Sequence, residues 1–305
     1  MKRLLVIFAC ILPLLAGCSA LKSENARKHI LWKVSDSNSS VYLFGSVHFA
    51  DSTFYPLDSE ITVAFEHSDE LGVELDMGDT SVVQKIVELT AQRGLLPEGE
   101  SLDRILPADV QSSLDSLCMA WYIPLGTFNR YKPWAAAMTL SSVAIARKGF
   151  LPEYGIDVYF LRAASERGMP VLSLETVEEQ VDALTGEGVI DSLSIYYVKS
   201  TLRDMLLLDS CITMMMRAWK NGDVAMFRDA LELESQPENA MDSLLSEELN
   251  ERVYTSRNRK MAKKVEGLLA SDRKVFIVVG AAHLAGKDEN VIDLLRAKGF
   301  TVEQL

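Results

Sequence analysis

The sequence predicts an α/β fold: a central mixed β-sheet flanked by helices, with a largely helical insertion. Three observations carry this. Val275-Phe276-Ile277-Val278-Val279 is an unbroken apolar run of strand length, the pattern of a strand covered on both faces. A helical stretch, a Gly299 stop and a short strand over 300–303 follow it, making a strand–helix–strand unit. Earlier in the chain, short apolar strands are separated by long tracts of helical periodicity. Of the 305 residues, 48% are hydrophobic and 24% charged, enough apolar material for a sizeable core and too much for a disordered chain.

Taken in order, Leu31 to Val34 and Val41 to Phe44 read as a hairpin across a polar turn at 35–40. Residues 58–67 read as a helix and Leu71 to Leu75 as a strand. The helical insertion occupies about 80–150, broken at Gly94 to Gly99, Pro107, Ile123 to Pro133 and Gly149 to Pro152, with Pro133 opening a helix. A helix over 155–168 stops at Gly168, and Val171 to Leu174 is the next strand. Residues 176–270 are mostly helical, interrupted near Thr185 to Gly188, at Asn221-Gly222 and at Pro237. The closing helix spans 288–298. No repeat of 20–50 residues is visible.

The N-terminus reads as an address. Lys2 and Arg3 precede the apolar stretch Leu4 to Leu15, which is too short to span a bilayer permanently. Leu15-Ala16-Gly17-Cys18 resembles the lipobox of bacterial lipoproteins. The resemblance implies that residues 1–17 are a signal peptide, that Cys18 carries lipid, and that 18–30 link the anchor to a domain over 31–305. Ser19 after the cysteine implies the periplasmic face of the outer membrane. The formal charge of -12 becomes -14 once Lys2 and Arg3 leave, which argues against a nucleic-acid partner. An oxidising compartment would permit a Cys118–Cys211 bridge, and both also suit buried apolar positions.

Chemistry concentrates in a few residues. Of four histidines, two share one context: Gly45-Ser46-Val47-His48 and Gly280-Ala281-Ala282-His283 each follow an apolar strand. Loops beyond the carboxyl ends of strands are where open α/β sheets bind ligands. Glu74 lies opposite Leu71, Val73 and Leu75 in strand alternation, and Glu175 likewise closes an apolar strand. A carboxylate in such a place needs a partner, a hydrogen bond or a metal. His29 falls in the linker and His67 beside Asp69 and Glu70, so neither is a candidate. Met214-Met215-Met216 reads as helical core, and the basic run Arg257, Arg259, Lys260, Lys263, Lys264 as a solvated helix face, with Arg257 free to turn inward toward an anionic substrate. The zincin H-E-x-x-H, the G-x-S-x-G elbow and a complete P-loop are absent from the sequence.

The two Gly-x-x-His motifs, Gly72 to Asp76, Gly155-Ile156-Asp157, Leu174-Glu175-Thr176 through Gln180, Arg257 to Met261 and Gly280 to Gly286 together resemble the TraB/GumN family. That family is related to the Tiki metalloproteases and, more distantly, to erythromycin esterases and haem-binding ChaN proteins. The resemblance implies that His48, Glu74 and His283 line the site, with Glu175, Arg257 and Asn258 nearby. Two imidazoles and a carboxylate suit Mn, Co, Fe or Zn with an open position for water. On that reading His48, Glu74 and His283 hold the metal, Glu175 transfers protons or supports a ligand, and the substrate is a peptide or protein of the envelope. The alternatives are a metal-free esterase-like hydrolase and a non-catalytic lipoprotein that binds peptide or haem.

Overall fold

The computed structural model describes residues 27–185, 192–233, 237–271, 273–287 and 289–305. The signal segment and Cys18 lie outside the described residues. Among these, six strands form one sheet: β1 (Leu31–Ser35), β2 (Ser40–Ser46), β3 (Glu70–Val73), β4 (Val171–Ser173), β5 (Val275–Gly280) and β6 (Thr301–Gln304), in the order β4-β3-β5-β2-β1-β6. Strands β4, β3, β5 and β2 run parallel, while β1 is antiparallel to both β2 and β6. The sheet is therefore mixed, and all four parallel strands end on one side of the molecule.

Strand β5 is central because its side chains are apolar on both faces, and Val275 to Val279 are each at most 1% exposed. Helices α1 (Ser59–Glu66), α2 (Thr80–Gly94), α3 (Ala108–Trp121), α4 (Pro133–Arg147) and α5 (Ile156–Arg167) lie between β2 and β4. Pro133 is the first residue of α4, where its missing N–H costs nothing. Helices α6 (Val177–Thr185), α7 (Ser192–Asp204), α8 (Leu208–Asn221), α9 (Val224–Leu231), α10 (Ala240–Asn250) and α11 (Ser256–Leu269) connect β4 to β5. The short α12 (Ala281–Ala285) and α13 (Val291–Ala297) lead to β6.

The main core joins β1, β2, β3 and β5 to α5, α11 and α13, with Phe44, Phe65, Phe160 and Phe276 in mutual ring contact at 4.9–5.9 Å. A second core, built on Leu102, Leu114, Cys118, Leu140 and Val198, holds α3 and α4 against α7. The helices of the insertion thus pack largely on helices from between β4 and β5, α3 and α4 on α7 and α2 on α6.

Several local expectations change. Cys118 and Cys211 are not bridged to each other, and Cys211 Sγ donates to the Ala230 carbonyl at 3.4 Å. His29 is buried rather than in a linker: its N–H donates to the Leu305 carbonyl at 2.5 Å, so the N-terminal segment is sealed to the end of β6. The last helix begins at Val291, and His283 sits on α12 instead of in a loop. Between α10 and α11 the helix widens into a π turn, Glu251–Thr255, a local distortion frequent at functional sites.

Candidate active site

Each parallel strand delivers one group beyond its carboxyl end. His48 follows β2, Glu74 follows β3, Glu175 follows β4 and His283 follows β5 on α12. Strands β3 and β4 stop at Val73 and Ser173, and their chains stay together just past that point, with Glu175 N–H donating to the Glu74 carbonyl at 3.0 Å. This fixes the two carboxylates side by side. Helix α11 supplies Arg257 and Asn258 from above the strand ends.

The carboxylates are held by a shared cation. Arg257 Nε donates to Glu175 Oε1 at 2.8 Å, and Nη2 donates to Glu175 Oε2 at 2.6 Å and to Glu74 Oε2 at 2.9 Å. Its Nη1 donates to the Val253 carbonyl at 3.0 Å, in the π turn. The guanidinium has therefore turned inward toward protein carboxylates, which take three of its N–H groups, while Val253 takes a fourth. Gln180 on α6 adds a second bridge, donating to Glu74 Oε2 at 2.9 Å and Glu175 Oε2 at 3.2 Å. Gly280 N–H donates to Glu74 Oε1 at 2.7 Å.

Both imidazoles are fixed through Nδ1. His48 Nδ1 lies 2.8 Å from Asp157 Oδ2, and Ser46 Oγ donates to the other Asp157 oxygen at 2.7 Å. His283 Nδ1 lies 2.6 Å from Asn258 Oδ1, and the Tyr254 ring from the π turn packs 5.6 Å from the imidazole. With Nδ1–H donating to these oxygens, each Nε2 is left for the site. His283 Nε2 stands 3.9 Å from Glu74 Oε1. A methyl group placed on Gly280 would come within 3.3 Å of Glu74 Oε1, 3.6 Å of His283 Cδ2 and 3.7 Å of His48 Nε2. The three groups thus converge on one point that glycine leaves open.

The electrostatics follow from this arrangement. Burial alone would push Glu74 upward, but His283, His48, Arg257 and the Gly280 N–H together bring its pKa down to about 2. Burial lowers His283 to about 4, against the pull of Glu74. The Asp157 carboxylate raises His48 to about 9, an attraction that solvent screens because the ring is 60% exposed. At neutral pH the site therefore holds an ionised Glu74 and a neutral His283, while the field at His48 Nε2 favours positive charge.

The residues that the sequence singled out, His48, Glu74, Glu175, Arg257, Asn258 and His283, are brought together. Asp157, Gln180, Ser46 and Tyr254 join them without having been assigned a role beforehand. A signal for Asp157 did exist: a side chain at Gly155 would strike the His48 carbonyl at 2.6 Å, so glycine lets that segment run against the His48 loop. Ile156 N–H donates to the Val47 carbonyl at 3.0 Å and completes the contact.

Among the described residues, no group of three or more His, Cys, Asp or Glu stands ready-assembled around a metal position. The donor chemistry nevertheless fits a divalent ion. Two imidazoles present Nε2 with Nδ1 locked by an oxygen, the usual support of a metal-bound histidine, and Glu74 Oε1 is their shared acceptor neighbour.

The sequence model of the TraB/PrgY/gumN family matches residues 30–304. Uncharacterized protein YbaP of Escherichia coli strain K12 is 24% identical over 277 residues, covering 88% of this chain and 94% of YbaP. Metalloprotease TIKI1 of Homo sapiens is 25% identical over 341 residues, covering 95% of this chain and 65% of TIKI1. Metalloprotease TIKI2 of Danio rerio is 26% identical over 333 residues, covering 94% of this chain and 62% of TIKI2. The chain thus spans less than two thirds of the length of either metalloprotease. No solved structure matches it significantly. The chain belongs to the TraB/PrgY/gumN family.

Proposed function

We propose that this member of the TraB/PrgY/gumN family is a metal-dependent hydrolase of peptide bonds, anchored through Cys18 to the periplasmic face of the outer membrane. The observation that carries the activity is the convergence of His48 Nε2, Glu74 Oε1 and the His283 ring edge on the open space beside Gly280, with His283 Nε2 3.9 Å from Glu74 Oε1. The metalloprotease names of the TIKI relatives agree with it. His48, Glu74 and His283 are the residues that would hold the ion, drawn from Mn, Co, Fe or Zn. When bound, such an ion supplies an activated water and polarises the scissile carbonyl.

The protein's own groups have separable tasks. Glu74, ionised down to about pH 2, is a lasting anionic ligand and a poor proton donor. His283, with a pKa of about 4, offers a lone pair at neutral pH but little basicity. Neither is a strong enough base to deprotonate water unaided, which suits both to the ligand role. Glu175, with a side chain 1% exposed and clamped by Arg257, does not reach substrate and acts as a positioning residue for Arg257 and Glu74. Asp157 and Asn258 set the tautomers of His48 and His283.

The test is peptide cleavage by residues 19–305 under each of the four metals after chelation. Metal-restored cleavage that falls at least about 100-fold in His48→Ala supports the reading. Peptide binding without cleavage under every metal would replace it with the regulatory alternative.

A further inference from the structure

The chain enters the domain at the same end of the sheet as the active site. Strand β1 runs antiparallel to β2, so its first residue, Leu31, pairs with Phe44 near the end of β2. Gly45 N–H donates to the Ile30 carbonyl at 2.8 Å, three residues before His48. Upstream, Arg27 pairs with Asp58 at 3.3 Å and donates to the Lys220 carbonyl at the end of α8. The hairpin turn around Asn38 marks the opposite end.

Only nine chain steps separate Cys18 from Arg27. Fully extended, they reach at most roughly 32 Å. A domain of about 280 residues measures roughly 50 Å across. A tether shorter than the domain cannot carry its own attachment point to the side away from the membrane. The face around Arg27 therefore stays within that reach of the lipid and off the far side of the domain.

Helix α8 runs about 21 Å from its last turn, where Lys220 meets Arg27, back to an apolar knob. The knob consists of Leu206 (87% exposed), Tyr122 (93%) and Leu125 (58%). The end of α4 links its parts: Arg147 lies 5.3 Å above the ring of Trp121, next to Tyr122, and the following Lys148 pairs with Asp209 in the first turn of α8. Tyr122 closes α3 in the left-handed region, φ 59°, where glycine or asparagine would be cheaper. An exposed aromatic ring and leucines beside arginine and lysine make up the composition of a surface seated at a membrane interface.

We propose that the protein lies on the bilayer along α8, with the knob of Leu206, Tyr122 and Leu125 immersed among the headgroups and the active-site end of the sheet facing lipid. This rests on acylation of Cys18 as read above. It narrows the substrate class to membrane-proximal peptide segments.

The test uses the full acylated chain in phosphatidylethanolamine/phosphatidylglycerol vesicles containing a headgroup nitroxide lipid. A fluorophore is placed at Leu206→Cys, Tyr122→Cys or Asn38→Cys, each in a Cys118→Ala/Cys211→Ser background. Quenching at 206 and 122 at least threefold stronger than at 38 is the expected result. Equal quenching at all three sites, or shielding of 206 and 122 without lipid quenching, as a protein partner would give, overturns the proposal. Vesicle flotation of the unlabelled chain beside Cys18→Ser is read separately: failure of the wild-type chain to float overturns the anchor, and the proposal with it, whatever the orientation.

Discussion

Removing Arg257 tests how the site is held together. One guanidinium, 13% exposed, serves two carboxylates whose side chains are 10% and 1% exposed. In Arg257→Ala, Glu74 keeps the Gly280 N–H and the Gln180 amide, while Glu175 keeps Gln180 at 3.2 Å. Breaking a buried ion pair from one side costs about 3–5 kcal/mol. The variant has one escape, protonation of a carboxyl whose ordinary pKa is near 4.3, and at pH 7 that costs about 4 kcal/mol. The loss should therefore sit at about 3–4 kcal/mol at pH 7 and shrink by roughly 1 kcal/mol for each unit of acidification toward pH 5. Urea unfolding at pH 7, 6 and 5 reads both quantities, with an unchanged m-value confirming the same transition. Adding Glu175→Gln to the variant should recover part of the loss, since one buried charge goes. A loss below about 1 kcal/mol at pH 7, or one that does not move with pH, would refute the shared-cation account.

Other outcomes follow from the same geometry. His48→Ala removes a ring 60% exposed to solvent, so its unfolding midpoint should stay within a few degrees of wild type while metal-dependent cleavage disappears. Gly280→Ala keeps an ordinary backbone, φ -49°, yet puts a methyl 3.3 Å from Glu74 Oε1 and 3.7 Å from His48 Nε2. It should fold and bind metal at least about tenfold more weakly, measured by competition with a chelator dye. In chelated protein, His283 with its folded pKa of about 4 binds fewer protons than the unfolded chain between pH 6.5 and 4. Stability should thus fall on acidification through that window, by at most about 3 kcal/mol, and His283→Gln should flatten the profile. His48 acts in the opposite sense, its raised pKa giving stability that is present below pH 6.5 and lost as pH rises toward 9, weakly because the ring is exposed.

Much of this was legible in the residues because it follows from one-dimensional patterns. Val275 to Val279 announced a central strand since burial on both faces removes every polar position. The two Gly-x-x-His segments were visible because each strand end repeats the same chemistry, and the glycines mark close approach: a side chain at Gly45 would meet Ile30 at 2.4 Å. What stayed hidden depends on contacts between distant helices. Asp157 reaches His48 across 109 residues, and Gln180 reaches Glu74 across 106, with no local pattern that names the partner. The π turn bringing Tyr254 to His283 leaves no mark in apolar periodicity, since it adds one residue to a helix that reads as continuous. Arg257 belonged to a run of basic residues in which Arg259 pairs with Glu251 and Lys260 with Glu179 at the surface. His29 read as linker because burial there comes from the chain's other terminus, Leu305.

The central claim is that His48, Glu74 and His283, brought from three strand ends, form a single cation site. Bound metal per chain, determined by elemental analysis of residues 19–305 after equilibration with Mn, Co, Fe and Zn, tests it most directly beside His48→Ala and His283→Ala. The account predicts about one ion in the wild type, lost from both folded variants. An unchanged stoichiometry in either variant, or no bound ion in the wild type under any of the four metals, would contradict it.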